Sequence, residues 1–269
     1  MDRILTHHID GNGPAVVLLN GGLMSIAAWE PLLPLFGGRF RILRCDFRGQ
    51  LLSPGEPHPT LVEHAEDLAT LFDHLGIERA HLVGPSFGGE VGMIFASRFP
   101  DLTASLTVAT ATECLTEEMR KQSKALCDAA LAAASGGDRP HVFRILAPNT
   151  FSSAWLATQA PGFLEQRAAW IGMLPPQFFG GLAGLMRALD TLDLGSELPR
   201  IKAPTLVIGA ELDQVFPVEH CKAIAAAIPG ARFELIKGAG HAAVIETPEE
   251  FVRLIVEFVD GTKSERRAE

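Results

Sequence analysis

The chain predicts an α/β protein, a mostly parallel central sheet with helices on both faces and a block of helices inserted into it. Three observations carry that expectation. Short apolar runs rich in Val, Leu and Ile alternate with longer stretches of helical period, the rhythm of βα units. The alternation breaks between about Cys114 and Leu198, where the pattern is helical and punctuated by Gly136-Gly137, Pro161-Gly162, Pro175-Pro176 and Gly180-Gly181. The 269 residues, 47% hydrophobic and 20% charged, suffice for one large core carrying such an insertion.

Taken in order, Ile4 to Ile9 and Ala15 to Leu19 read as strands joined by Gly11-Asn-Gly-Pro14, a hairpin signal. Ile26 to Phe36 has helical apolar spacing. Phe40 to Cys45 alternates like a strand, and Asp46-Phe-Arg-Gly49 turns out of it. Thr60-Leu-Val-Glu63 is a capping box that opens a helix to about Leu75. A strand from Ala80 to Val83, a helix from Phe87 to Phe99 and a strand from Ala104 to Thr110 follow. Beyond the insertion come a strand at Thr205 to Ile208, a helix at Val218 to Ile228 and a strand at Phe233 to Ile236. Thr247-Pro-Glu-Glu250 supplies an N-cap, a proline at the first helical position and a glutamate at the third. They open a last helix to about Val259, and the tail Lys263 to Glu269 reads as frayed. The division is therefore 1–113 and 199–269 for the core and 114–198 for the helical cap.

Composition excludes several classes of partner. Twenty-three basic against 32 acidic residues give a net charge of −9, which favours neither nucleic acid nor an anionic membrane. No apolar run is long enough to cross a bilayer, and Met1 to His8 lacks the apolar centre of a secretion signal. Cys45, Cys114, Cys127 and Cys221 are scattered without a C-x-x-C pair, so buried free thiols and a cytoplasmic location are expected. Nothing in the pattern calls for a metal or a cofactor. The oligomeric state is not specified.

The chemistry concentrates at Gly84-Pro85-Ser86-Phe87-Gly88, a G-x-S-x-G turn between a strand and a helix. So sharp a turn needs small residues two positions either side of the serine, because a side chain there would collide with its neighbours. The turn lifts the Ser86 hydroxyl off the sheet and leaves the Phe87 N–H at a helix start, where the dipole favours negative charge. A serine hydroxyl needs a base, and histidine has the suitable pKa. Of nine histidines, His241 in Gly238-Ala-Gly-His241 follows a strand and lies among residues small enough for close loop packing. His64 and His74 read as surface-helix residues, His58 and His220 as exposed, and His81 as structural. The base needs an orienting acid. Asp213, just past the Thr205 strand, is preferred over Glu211 and over Glu113, which follows the Ala104 strand.

The order Ser86, Asp213, His241 is that of the α/β-hydrolases. With the elbow, the Asp46 turn and the final helix, the chain resembles that superfamily over nearly its whole length, and within it small bacterial esterases and 3-oxoadipate enol-lactonases. The resemblance implies the α/β-hydrolase fold with its cap after the sixth strand. It also implies an oxyanion hole from the backbone N–H groups of Phe87 and Gly22, in the loop Asn20-Gly21-Gly22-Leu23-Met24. Asn20 departs from the usual histidine there, though enol-lactonases are similar. Leu51 departs from a usual glycine. Ser86 excludes a carboxylate nucleophile, and Pro85 and Ala242 disfavour the C–C hydrolase branch. The expected activity is hydrolysis of a small, largely apolar ester or lactone through an acyl-enzyme. Leu23, Met24, Trp170, Phe179, Met186 and Phe216 are the expected pocket, and Arg144, Arg167 or Arg187 would hold a substrate carboxylate. A lyase, C–C hydrolase or cofactor-free oxygenase using the same His–Asp pair, or a ligand sensor with an idle triad, are the alternatives.

Overall fold

The structure, a computed structural model, describes residues 4–266; residues 1–3 and 267–269, part of the leader and tail readings, lie outside the described residues. Seven strands, β1 (His7–Asp10), β2 (Ala15–Leu19), β3 (Arg41–Cys45), β4 (Ala80–Pro85), β5 (Thr103–Ala109), β6 (Thr205–Ala210) and β7 (Arg232–Ile236), form one sheet of order β1-β3-β2-β4-β5-β6-β7. Only β1 runs antiparallel to its neighbour. The hairpin expected between the first two strands does not form, because β1 pairs with β3. Gly11 and Gly13, both at positive φ, lie so close to the Phe40 and Arg39 carbonyls that a Cβ would fall 2.5 and 2.6 Å from them. That close approach routes the turn around the start of β3.

Alternate residues along each strand divide between two cores, as the two-residue repeat requires. Val17 and Leu19 of β2 join the core under α1 (Leu61–Leu75) and α2 (Phe87–Arg98). Val16 and Leu18 join the opposite core, with Trp29 and Phe36. The segment Ile26–Phe36, expected as an α-helix, is a 3-10 helix carrying Pro31 and Pro34. Each proline removes a backbone donor and clashes with the preceding turn of an α-helix. At Thr60 the side chain accepts from the Glu63 N–H and donates to the Glu63 carboxylate at 2.8 Å.

Between β5 and β6 lie α3 (Glu117–Ala134), α4 (Arg139–Thr150), α5 (Ser153–Thr158), α6 (Phe163–Gly172) and α7 (Pro176–Leu189). This insertion follows the fifth strand, not the expected sixth, since five strands precede it among the described residues. The helices α8 (Val218–Ala227), α9 (Ala243–Glu246) and α10 (Pro248–Arg266) complete the core. The last helix runs past its expected end at Val259 into the stretch read as frayed.

Candidate active site

The loops that leave β2, β4, β6 and β7 converge over the carboxyl ends of the parallel strands, where open α/β sheets leave a crevice. Ser86 follows β4 with φ 50° and ψ −129°, a conformation an L-residue holds only when its surroundings impose it. The surroundings are backbone. A Cβ on Gly84 would lie 2.3 Å from the Gly88 carbonyl oxygen, and one on Gly88 would lie 2.4 Å from that of Leu19. The Ser86 N–H donates to the Ala109 carbonyl at 2.9 Å, tying the turn to β5. Phe87, the first residue of α2, has no intrahelical acceptor for its N–H.

His241 and Asp213 meet. The ring Nδ1 lies 2.9 Å from Asp213 Oδ2, and the other carboxylate oxygen accepts the Val215 and Phe216 N–H groups at 2.8 and 2.9 Å. The Asp213 side chain is 1% exposed and that of His241 14%. Burial alone pushes the imidazole down, but the Asp213 charge, its hydrogen bond and the charge of Glu90 together hold it above the ordinary histidine value. With Nδ1 engaged, Nε2 is the ring nitrogen left for a substrate or nucleophile. The rival acids are committed elsewhere. Glu211 accepts the Gly238 N–H at 2.9 Å, and Glu113 lies 3.0 Å from His220 Nδ1.

Ser86 and His241 line one cavity of about 330 Å³, whose walls also include Gly22, Leu23, Met24, Leu182, Met186 and Phe216. Phe216 stands edge-on to the His241 ring at 5.3 Å. Two expected pocket residues are elsewhere. Trp170 is half exposed, one position from the cavity-lining Ile171 and so about 100° around α6, with the Arg167 guanidinium over its ring. Phe179 is fully buried one turn before Leu182, packed against Phe178 and under Arg139. Of the three arginines, Arg167 lines the cavity, whereas Arg144 pairs with Glu165 at 2.9 Å.

The Gly22 loop is held by its departure from the family pattern. Asn20 Nδ2 reaches the Cys45 carbonyl, Asp46 Oδ1 and Gln50 Oε1 at 2.9–3.1 Å, and its Oδ1 accepts the Trp29 indole N–H at 2.8 Å. Gln50 Nε2 donates to the Gly21 carbonyl at 3.1 Å. Nothing in the sequence marks Gln50, since its partners are 29 or more positions away or are backbone groups. Three histidines also differ from expectation. His64 is fully buried against Phe47 and Phe87, and burial, then His58, pushes it down to about 3. His58 bonds Asp67 at 2.9 Å, and His220 bonds Glu113 and Thr112. Among the described residues, Glu113, Cys114 and His220 bring three possible metal-ligating atoms within 4.8 Å of one another, outside the cavity lining.

The family model for the alpha/beta hydrolase fold matches residues 14–248. The chain belongs to the α/β-hydrolase family. It is a hydrolase of that family with the mostly parallel seven-stranded sheet and a helical insertion. Similar proteins include "Putative carbamate hydrolase RutD" of Stutzerimonas stutzeri, 28% identical over 93% of both chains. The pimeloyl-[acyl-carrier protein] methyl ester esterase of Aeromonas hydrophila is 28% identical, over 93% of this chain and 96% of its own. Among solved structures, the enol-lactonase of Burkholderia xenovorans superposes with a TM-score of 0.82 at 27% identity, over 95% and 96% of the two chains. No helix among the described residues is long and apolar enough to cross a membrane.

Proposed function

We propose that this α/β-hydrolase cleaves a small, largely apolar carboxylic ester or lactone through an acyl-enzyme on Ser86. One observation carries the reading: the serine at the strained elbow and the Asp213-bound histidine open into the same apolar cavity. His241 Nε2 takes the Ser86 proton as Oγ bonds to the carbonyl carbon. The negative charge that develops on the carbonyl oxygen meets the Phe87 and Gly22 N–H groups, each such donor lowering the barrier by about 3 kcal/mol. The ester C–O bond breaks and His241 returns the proton to the leaving alkoxide; in a lactone that alcohol stays tethered. Water then gives a proton to His241 and attacks the acyl carbon; the Oγ–C bond breaks, the acid leaves and His241 returns the proton to Ser86 Oγ.

The helices of 114–198 act in this reading as a lid, with Leu23, Met24, Met186 and Phe216 around the acyl or alcohol group. Arg167, exposed at the cavity rim, is the cation placed to meet a substrate carboxylate. The names of the esterase and enol-lactonase relatives support the ester or lactone class. A carbamate, suggested by another relative's name, is the second reading, and the apolar lining favours the first.

A chain-length panel of activated esters and lactones, with carbamates alongside, tests the proposal together with a fluorophosphonate that labels active serines. Ser86→Ala should lose labelling and about 10⁶ in kcat. Near-native ester turnover by that variant refutes the mechanism, and faster release of ammonia from carbamates selects the second reading.

A further inference from the structure

Glu90 sits one helical turn beyond Ser86 and takes no part in the steps above. Its N–H donates to the Ser86 carbonyl at 3.2 Å, fixing it to the elbow. The side chain is wholly buried. Oε1 accepts the Thr112 N–H at 3.0 Å, while Oε2 is buried without a hydrogen-bond partner. A half-satisfied carboxylate is among the costliest groups a core can hold. Its buried neighbours on α2, Val91, Met93, Ile94 and Phe95, are all apolar, so an apolar residue would suit the position better on packing grounds.

The charged and titratable groups around Glu90 come from other elements. Asp213 from the loop after β6 and His241 from the loop after β7 both act on it through space. Cys221 of α8 feels the charges of Asp213, Glu90 and Glu113 through space. Glu113 is itself paired with His220, 3.0 Å away. Burial pushes the Glu90 carboxyl up to about 7, while the His241 charge draws it back. The effect is mutual, since the Glu90 charge favours a proton on His241.

We propose that Glu90 is a positioning residue for His241, a second buried negative charge that favours the imidazolium once the ring has taken the Ser86 proton. The inference rests on the reading of Ser86, His241 and Asp213 as a triad. The imidazolium exists in the transition state and not in the resting enzyme, so a fixed buried charge anchored one turn beyond the Ser86 elbow lowers the barrier rather than merely tightening binding. No proton leaves Glu90 during the cycle. Below about pH 7 Glu90 takes up a proton of its own and its support is withdrawn. Protons therefore add to the two groups in coupled steps.

The test uses the full chain and p-nitrophenyl butyrate between pH 5 and 9, with rates expressed per serine labelled by a fluorophosphonate. Glu90→Gln is expected to move the acid limb of kcat/KM to lower pH and to make it a single-proton limb. Its plateau kcat should fall about tenfold, the scale of one lost charge in a medium of intermediate dielectric, with KM little changed. Glu90→Asp, which keeps the charge, should restore the limb in part. If Glu90→Gln yields no labelled serine, Glu90→Met is read in the same way. The wild-type His241 ring, followed by ¹⁵N NMR, should titrate in two steps. A variant limb that superposes on the wild type, or a one-step titration of the wild-type ring, overturns the inference. Full turnover by Ser86→Ala would instead overturn the triad reading, a different result.

Discussion

At the scale of single residues, the buried Asn20 ties the Gly22 loop to distant segments. Four hydrogen bonds to Cys45, Asp46, Gln50 and Trp29 make it the anchor of the Gly22 loop. Asn20→Ala would leave the buried Trp29 N–H and Asp46 short of partners. We expect a loss of about 1–3 kcal/mol in stability and roughly tenfold or more in kcat, measured by urea unfolding and ester turnover. Unchanged kcat would count against the proposed oxyanion role of the loop. Asp213→Asn should cost about 10⁴ in kcat, the loss seen when an orienting triad acid becomes an amide. In the proposed mechanism His241, held above its ordinary value, must be neutral to act as base, so activity should rise with pH through a midpoint above the usual histidine range near 6.5. A midpoint below that range would contradict the Asp213 and Glu90 effects.

Among elements, α7 packs its glycines directly against the loop that carries Gly49 and Pro57. A Cβ on Gly181 would lie 2.0 Å from the Gly49 carbonyl oxygen, and one on Gly184 would lie 2.4 Å from the Pro57 ring. The same helix carries Leu182 and Met186 into the cavity, so its seating sets the cavity wall. At the adjacent Gly180, a Cβ would meet nothing within 4 Å. Two neighbouring substitutions should therefore differ in sign. Gly181→Ala should destabilise by about 1–3 kcal/mol through overpacking, and Gly180→Ala should stabilise by about 0.5–1 kcal/mol through helix propensity. Thermal melts of both decide it, and equal effects would mean that α7 does not dock as described. The His241 loop is also fastened to the insertion. Glu246 accepts from the Ser152 N–H and hydroxyl and from the Gly240 N–H, and the Ala242 N–H donates to Thr150. A Cβ on Gly240 would lie 2.7 Å from the Ser152 nitrogen, which is the close approach that the small residues around His241 suggest.

At the scale of the whole molecule, the buried carboxylate trades stability for chemistry. The folded-state pKa of Glu90 is raised from 4.5 to about 7. Its favourable contribution is therefore complete below about 4.5 and lost as the pH climbs through about 7. Glu90→Gln should gain stability relative to the wild type across that window, by up to about 3 kcal/mol, read from urea midpoints at pH 5 and pH 8. A constant difference would show that Glu90 does not bury its charge. The sequence by itself determined the α/β rhythm, the elbow at Ser86, a helical insertion though not the strand it follows, and the chain order Ser86, Asp213, His241. All are written locally, in strand and helix periods and in glycines that a tight turn demands. The tertiary structure decided that β1 pairs with β3, that Asp213 and not Glu113 meets His241, that Trp170 and Phe179 stay out of the cavity, and that His64, Gln50 and Glu90 are buried. Those outcomes depend on contacts between segments far apart in the chain, and periodicity reports which face of an element is apolar but not which partner covers it.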